Sequence, residues 1–205
     1  MDTIVTYAKT KSGTLEYCID ISKTFPTRVA DFADKQRFDA LCKSGCINYG
    51  HKWSCPPFAP SFLDFVVDWE SLLVLFLRLD VDQLSYIKND YLKIKAANSV
   101  LKSRADRFLR LMAEKYGKYI STGSCRLCKP CERKLNMPCV HPGEMAYSFE
   151  ALGINVSALV DNYFAKSLLW YTNRCIPQYT SVVCGLLTND SISPKALLDE
   201  YQKVQ

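Results

Sequence analysis

The chain has 205 residues, of which 48% are hydrophobic and 12% aromatic, and its formal net charge is +5 at pH 7. A chain of this length buries a core without covalent cross-links, so its ten cysteines are not needed to hold a small fold together. These numbers exclude a small secreted disulfide scaffold. The modest positive charge does not by itself indicate a nucleic-acid partner.

Two features of the sequence predict the cellular compartment of the protein. Residues 1–13 contain no apolar stretch behind a basic start, so we expect no secretory signal. The most apolar region, residues 62–79, carries three acidic residues and an arginine, whereas a membrane span needs about 20 nearly uncharged residues. We therefore expect no membrane association and a cytoplasmic location, where cysteine pairs are more often metal ligands or redox groups than disulfides.

The hydrophobic pattern predicts strands that alternate with helices. Two runs near the start alternate like half-buried strands, and the run 72–77 is apolar without alternation, as expected of a strand buried on both faces. Helical spacing from Leu84 to Tyr116 predicts one long helix, with a break near Asn98 and a cap at Gly117. The other predicted elements are strands at 3–8, 15–21 and 179–187, helices at 27–41, 61–69, 148–153, 158–168 and 195–204, and cysteine-rich loops at 42–60 and 121–142.

This alternation predicts an α/β or α+β fold. We expect one domain over residues 1–205, built from a mixed sheet with flanking helices. The two cysteine-rich loops extend from this scaffold as metal-binding loops.

The second cysteine loop has the stronger metal-binding pattern. Its cysteines follow the spacing C-x2-C-x2-C-x7-C, and iron–sulfur clusters use a dense C-x2-C-x2-C run closed by a more distant cysteine. The pattern therefore predicts a cluster of the 4Fe–4S type. A structural zinc site is the alternative, although zinc sites usually show two separated C-x2-C pairs. The predicted ligands are Cys125, Cys128, Cys131 and Cys139.

The first cysteine loop offers three candidate ligands, Cys42, Cys46 and Cys55, spaced C-x3-C-x8-C and followed by two prolines. Cys42 and Cys46 are expected one helical turn apart at the end of a helix, facing one centre. Three thiolates suit a cluster with one iron open to another ligand, so the chain is expected to carry one or two clusters. Candidates for a fourth ligand are His51, Cys18, Cys175 and Cys184, although isolated buried cysteines usually act as small hydrophobic residues.

Four further residues are candidates to surround the metal centres without binding the metal. His141 lies two residues after Cys139, in a position to donate a hydrogen bond to sulfur, although an ordinary structural hydrogen bond is the alternative. His51, Tyr49 and Trp53 lie in the first cysteine loop, where the aromatic rings are candidates to shield a centre from water.

The motifs of both loops resemble those of a known family. NYGHKWSCPP after a C-x3-C pair, followed by CRLCKPCERKLNMPCVHPGEMAYSFEALGINV, closely resembles an uncharacterised family of predicted metal-binding proteins, a domain of unknown function found mainly in anaerobic bacteria and archaea. The resemblance covers the chain from about Lys35 onward. It implies a metal, with iron–sulfur as the expected type, and implies no particular reaction.

Three functions remain open at this point. The first is a redox protein that passes electrons to a flavodoxin, a ferredoxin or a reductase, docked on the basic surface of the long helix. The second is an enzyme that activates a substrate at the open iron of a three-cysteine cluster. The third is a zinc-stabilised binding module, but nucleic acid is not expected, because basic and aromatic residues are not interleaved as in base-stacking surfaces. The basic residues of the long helix are Lys88, Lys93, Lys95, Lys102, Arg104, Arg107 and Arg110.

Overall fold

The computed structural model describes residues 1–204. Its centre is a five-stranded sheet with the strand order β1-β2-β3-β5-β4, in which every pair of neighbouring strands is antiparallel. Helices cover both faces of the sheet, which confirms the α+β form of the predicted fold. The strands are β1 (Asp2–Thr10), β2 (Gly13–Thr24), β3 (Ser71–Asp80), β4 (Gly117–Ile120) and β5 (Tyr179–Thr188).

Strand β3 lies in the middle of the sheet, and its apolar run is divided between two hydrophobic cores. Leu73, Leu75 and Leu77 belong to the core on one face, while Val74 and Phe76 belong to the core on the other. All of these side chains are fully buried. The unbroken apolar run therefore reflects a strand covered on both faces, as predicted, although the sheet is antiparallel.

Six α-helices occur in the described part of the chain, and all except α2 contribute buried residues to the cores on the two faces of the sheet. The two longest on one face, α4 and α6, share a core with β2, β3 and β5, while α3 and α5 cover the opposite face. None of the helices within residues 1–204 is both long and apolar enough to cross a membrane. The helices are α1 (Pro26–Val29), α2 (Lys35–Gly45), α3 (Phe62–Val66), α4 (Asp90–Tyr116), α5 (Val156–Phe164) and α6 (Pro194–Lys203).

The helix predicted over 27–41 is wrong as a single element. The chain forms the short α1, a 3₁₀ turn, and then a new helix, because Ala33 pairs with Ile154 in an isolated bridge and leaves the helical conformation. Asp34 then starts α2 by accepting a hydrogen bond from the backbone N–H of Arg37 at 3.1 Å. This break sets the first residue of α2, and the C-terminal end of α2 carries Cys42 and precedes Cys46.

The long helix begins later than predicted and has no break. Asn89 caps α4 by accepting a hydrogen bond from the N–H of Leu92. Leu84 instead ends a 3₁₀ helix (Val81–Leu84), and residues 85–89 form a connection. The helix continues through Asn98, whose side-chain amide donates to Thr180 Oγ1 at 3.1 Å. An asparagine inside a helix is therefore explained here by a bond to the sheet.

Strand β4 was not predicted, although it leads directly into the second cysteine loop. Gly117 ends α4, as predicted, and also begins β4 with φ at 151°, a backbone conformation that side-chain-bearing residues rarely adopt. The region predicted as a helix at 148–153 is a turn, in which Ser148 Oγ accepts from the N–H of Ala151.

Candidate metal centres

The four cysteines of the second loop face one small cavity. Cys125, Cys128, Cys131 and Cys139 line a space of about 20 Å³, and each is half-buried. The remaining lining residues include no carboxylate, so the potential metal ligands around the cavity are the four thiols, one imidazole, one hydroxyl and one thioether. These other lining residues are Trp53, Ser54, Leu127, His141 and Met145.

A tight turn brings Cys139 back to the other three cysteines. Residues Glu132–Leu135 form a 3₁₀ helix directly after Cys131, and Asn136 closes it in the left-handed conformation, which asparagine tolerates. The N–H of Met137 returns to the carbonyl of Glu132 at 3.1 Å. The seven residues between Cys131 and Cys139 therefore form a compact reversal of the chain.

Helix α4 anchors the start of the second loop. Both the backbone N–H and the hydroxyl of Thr122 donate to Asp106 Oδ1, at 3.2 and 3.0 Å. Asp106 lies on α4, which packs on the sheet core. The loop that carries four cysteines is thus attached to the most extensive helix of the fold.

The first cysteine loop docks directly onto the second. Ser54, 1% exposed, accepts a hydrogen bond from the backbone N–H of Cys125 at 3.0 Å, and its hydroxyl lies 4.0 Å from Cys55 Sγ. Lys52 donates to the carbonyl of Cys125 at 2.7 Å and to Ser124 Oγ at 3.1 Å. One buried hydroxyl therefore joins a cysteine of the first set to a cysteine of the second.

Trp53, also from the first loop, forms one wall of the second cavity. Its indole N–H donates to the carbonyl of Met137 at 3.0 Å, and its ring packs edge-on against Phe58 at 4.8 Å between centroids. The guanidinium of Arg133 stacks over both rings, 5.3 Å from Trp53 and 4.4 Å from Phe58. The aromatic ring was predicted to shield a centre, and the structure places it against the second set of cysteines.

The cysteines of the first loop line a second, larger cavity of about 340 Å³. Cys42 and Cys46 lie one turn apart at the end of α2, where the N–H of Cys46 donates to the carbonyl of Cys42 at 3.0 Å. Cys55 is 6% exposed and approaches from the loop that follows. The structure thus brings together the three predicted residues, in the predicted helix-end arrangement. The cavity is completed by Asn48, Tyr49, Pro56, Lys102, Thr122, Gly123, Ser124, Arg126, Ser148, Glu150 and Ala151.

The candidate fourth ligands lie elsewhere. Cys18 pairs with Arg78 inside the sheet, Cys175 is exposed in a turn, and Cys184 is fully buried in the core beside α4. His51 is exposed and lines neither cysteine cavity. A residue that was not among the candidates, Glu150, brings a carboxylate to the first cavity. It lies in the stretch SFEALGI, which is part of the family resemblance, and this was the only sign of it in the sequence.

The other candidate residues divide between the two cavities. Tyr49 lines the first, while His141 lines the second with 44% of its side chain exposed. The ring of His141 approaches Glu144, with 3.5 Å between Nδ1 and Oε1. This carboxylate is near enough to orient the imidazole, and a hydrogen bond from His141 to sulfur stays a prediction.

The thiols in each set influence one another electrostatically. Burial raises the pKa of Cys55 to about 11, and the neighbouring Cys46 and Cys42 contribute in the same direction while a hydrogen bond from Ser54 opposes them. The pKa of Cys42 is raised by burial, by Cys46 and then by Asp39 and Glu150. In the second set, burial and the charges of Cys131, Cys125 and Cys139 raise the pKa of Cys128. A metal that binds these thiols must displace their protons, so metal affinity is expected to fall as pH falls.

The donor sets fit a thiolate-bound metal group in their chemistry. Four thiols share one cavity and three share the other, and thiolates are the ligands of iron–sulfur clusters and of structural zinc. Within residues 1–204, no three or more His, Cys, Asp or Glu side chains converge closely enough to hold a single metal ion as they stand. The thiols of each set line one cavity, but their sulfur atoms are farther apart than the ligands of a single metal ion.

Fold and site define a cysteine-rich α+β protein with two thiol-lined cavities joined by a buried serine. The family model described as "Predicted metal-binding protein (DUF2284)" matches residues 27–185, which includes both cysteine loops, and the chain belongs to this family. The resemblance seen in the sequence is thereby confirmed at the level of metal binding. No curated protein and no solved structure matches the chain.

Removal of the Trp53 wall should expose the second cavity. For Trp53→Ala, we expect bound metal to be lost about 10–100-fold faster on exposure to air or chelator, because the shell around a metal site controls solvent access. The metal content of protein purified without oxygen, determined at intervals, measures this loss over time. Trp170→Ala, at a tryptophan that is 65% exposed, is the matched control and should leave the rate unchanged. Equal rates in the Trp53 variant and the wild type would contradict the assigned role.

Proposed function

We propose that this chain is an iron–sulfur protein of the cytoplasm with a redox role, and that it holds two neighbouring clusters of the 4Fe–4S type. The observation that carries this proposal is the set of four thiols around one cavity without a carboxylate, at the dense spacing typical of cluster ligands. The second centre would be held by Cys125, Cys128, Cys131 and Cys139. The first would be held by Cys42, Cys46 and Cys55.

When bound, an iron–sulfur cluster supplies one-electron transfer at a potential set by charge, hydrogen bonds and solvent exposure. The residues of this chain would tune that potential. Arg133 places a cation beside the second set, and Trp53 with Phe58 limits water there. Ser54 links Cys55 to the backbone of Cys125, which supports a role for the two centres as adjacent steps of one electron path.

An acidic redox protein, such as a flavodoxin, a ferredoxin or a reductase, is the proposed partner. A groove of about 550 Å³ runs between α4 and the second loop and is lined by Arg107, Arg110 and Arg126, along with Asp106 and Glu114. Two other cations of this helix are less available, because Lys93 pairs with Asp90 and Arg104 donates to a backbone carbonyl. Lys88, expected on the helix, precedes its first residue. The groove lies next to Ser124 and therefore close to the second set of cysteines.

A specific observation favours a second function, substrate activation at the first centre. Its three cysteines line about 340 Å³, whereas the four cysteines of the second loop line about 20 Å³. Small-molecule sites occupy about 300–1,000 Å³. A cluster held by three thiolates has one iron without a protein thiolate, so a ligand from solution is able to complete its shell.

Electron paramagnetic resonance of the reduced protein tests the redox proposal. Dithionite should supply one electron to each centre, giving two signals that broaden each other because the centres are neighbours. Cys128→Ala should leave a single, unbroadened signal of the first centre. Protein that contains zinc, is colourless and does not respond to dithionite would rule out the redox role and leave the binding-module alternative.

A further inference from the structure

Two cations face the cavity of the first cysteine set without a hydrogen-bonded partner. Lys102 extends from α4, and its ammonium lies 3.8 Å from where a Cβ of Gly123 would stand, at the wall of the cavity. Arg126 reaches the same cavity from the second loop. Neither side chain forms a hydrogen bond or a salt bridge with any residue of 1–204, although Glu150 and Asp106 are near enough to influence Lys102 electrostatically.

Two cations, Lys102 and Arg126, outnumber the one carboxylate, Glu150, that lines this cavity. Lys102 is half-buried, and the positive charge of Arg126 opposes its own charge. Glu150 offsets one of these two positive charges, and an anion between Lys102 and the exposed Arg126 would offset the other. Hydroxyls of Ser124 and Ser148 line the same space and supply neutral hydrogen-bond donors, whereas the hydroxyl of Thr122 already donates to Asp106.

We propose that the cavity beside Cys42, Cys46 and Cys55 binds a small organic anion, whose carboxylate or other oxyanion contacts Lys102 and Arg126 while its opposite end faces the cysteines. The inference rests on the proposed function for the role of the bound anion, since that opposite end would lie at the first metal centre. The volume of about 340 Å³ would be shared with the first metal centre, so it suits a metabolite of only a few carbon atoms. The ligand class is therefore a short carboxylate that carries a metal-binding group such as a thiol.

Matched probes separate the anion contact from the metal contact. 3-Mercaptopropionate and 1-propanethiol have the same chain length and thiol, and differ in the carboxylate. Their dissociation constants for the anaerobically purified holoprotein would be measured by the change in visible absorption. Saturation-transfer NMR of the probe gives a second measurement that does not depend on iron.

We expect the wild type to bind 3-mercaptopropionate about tenfold more tightly than 1-propanethiol, the size of one charge-assisted contact. Lys102→Met should bring this ratio close to one, and Arg126→Gln, at an exposed position, should lower it as well. Lys95→Met removes an exposed lysine of the same helix outside the cavity and should keep the full ratio. Thermal unfolding of each variant checks that the fold is retained.

Equal affinity for both probes in the wild type, or a ratio that survives in Lys102→Met, would overturn the inference and leave the two cations as counter-charges for the thiolates. The iron content of the same samples distinguishes the two failures. A first loop without iron, together with a carboxylate preference that depends on Lys102, would refute the proposed first centre and retain the anion site. A first loop that contains iron but shows no carboxylate preference would refute the anion site and retain the proposed first centre.

Discussion

Cys128→Ala should lose the whole second centre and leave the first. We expect iron and sulfide to fall by about four per chain, because a cluster of this type needs its four thiolates and Cys128 is the middle member of the dense run. The loop should also loosen, since its cysteines are half-buried and the shared metal group would no longer tie them together. Anaerobic purification followed by iron and sulfide determination measures the effect.

Cys184→Ala is the control for this prediction. Cys184 is fully buried on β5 opposite Leu75, and burial raises the pKa of its thiol well above the ordinary value. We expect this variant to keep its full metal content and to lose about 1 kcal/mol of stability through a small packing defect. Full metal in Cys128→Ala would refute the assignment of the second centre, and metal lost from Cys184→Ala would make that cysteine a ligand.

Gly117→Ala should destabilise the fold and disturb the second loop at the same time. A Cβ at this position would lie 2.2 Å from the carbonyl oxygen of Leu187 and 2.6 Å from the ring of Trp69, and φ is 151°. The backbone strain and the clash together should cost about 3 kcal/mol or more. For a chain of this length, that cost lowers the melting temperature by about 6–12 °C.

The effect should extend to the metal, because β4 runs from Gly117 directly to the start of the second cysteine loop. Thermal unfolding and iron content of the variant measure both consequences. Gly143→Ala is the matched control, since a Cβ there meets nothing within 4 Å. A melting temperature equal to that of the wild type in Gly117→Ala would contradict the close packing of β4 against β5 and Trp69.

Sequence patterns predicted those elements whose signal is local. The alternating strands at the start, the apolar run of β3 and the end of α4 at Gly117 all appear in the structure. The break in the predicted helix at 27–41 could not be predicted in this way. It depends on the pairing of Ala33 with Ile154, which is remote in sequence.

The members of each cysteine set were also predictable, because their spacing is a local feature. The relation between the sets was not, since Ser54 and Lys52 meet Cys125 only after the two loops dock. Lys102 illustrates the same limit. The sequence predicted Lys102 as one of several basic residues on the surface of the long helix. In the structure its ammonium group lies at the wall of the first cavity.

The content of iron, acid-labile sulfide and zinc per chain, determined after strictly anaerobic purification, tests the central claim most directly. Two clusters of the 4Fe–4S type predict about eight iron and about eight sulfide per chain, with no zinc. About four of each would leave one loop empty and contradict the second cluster. Zinc without sulfide would contradict the iron–sulfur assignment of both cysteine sets.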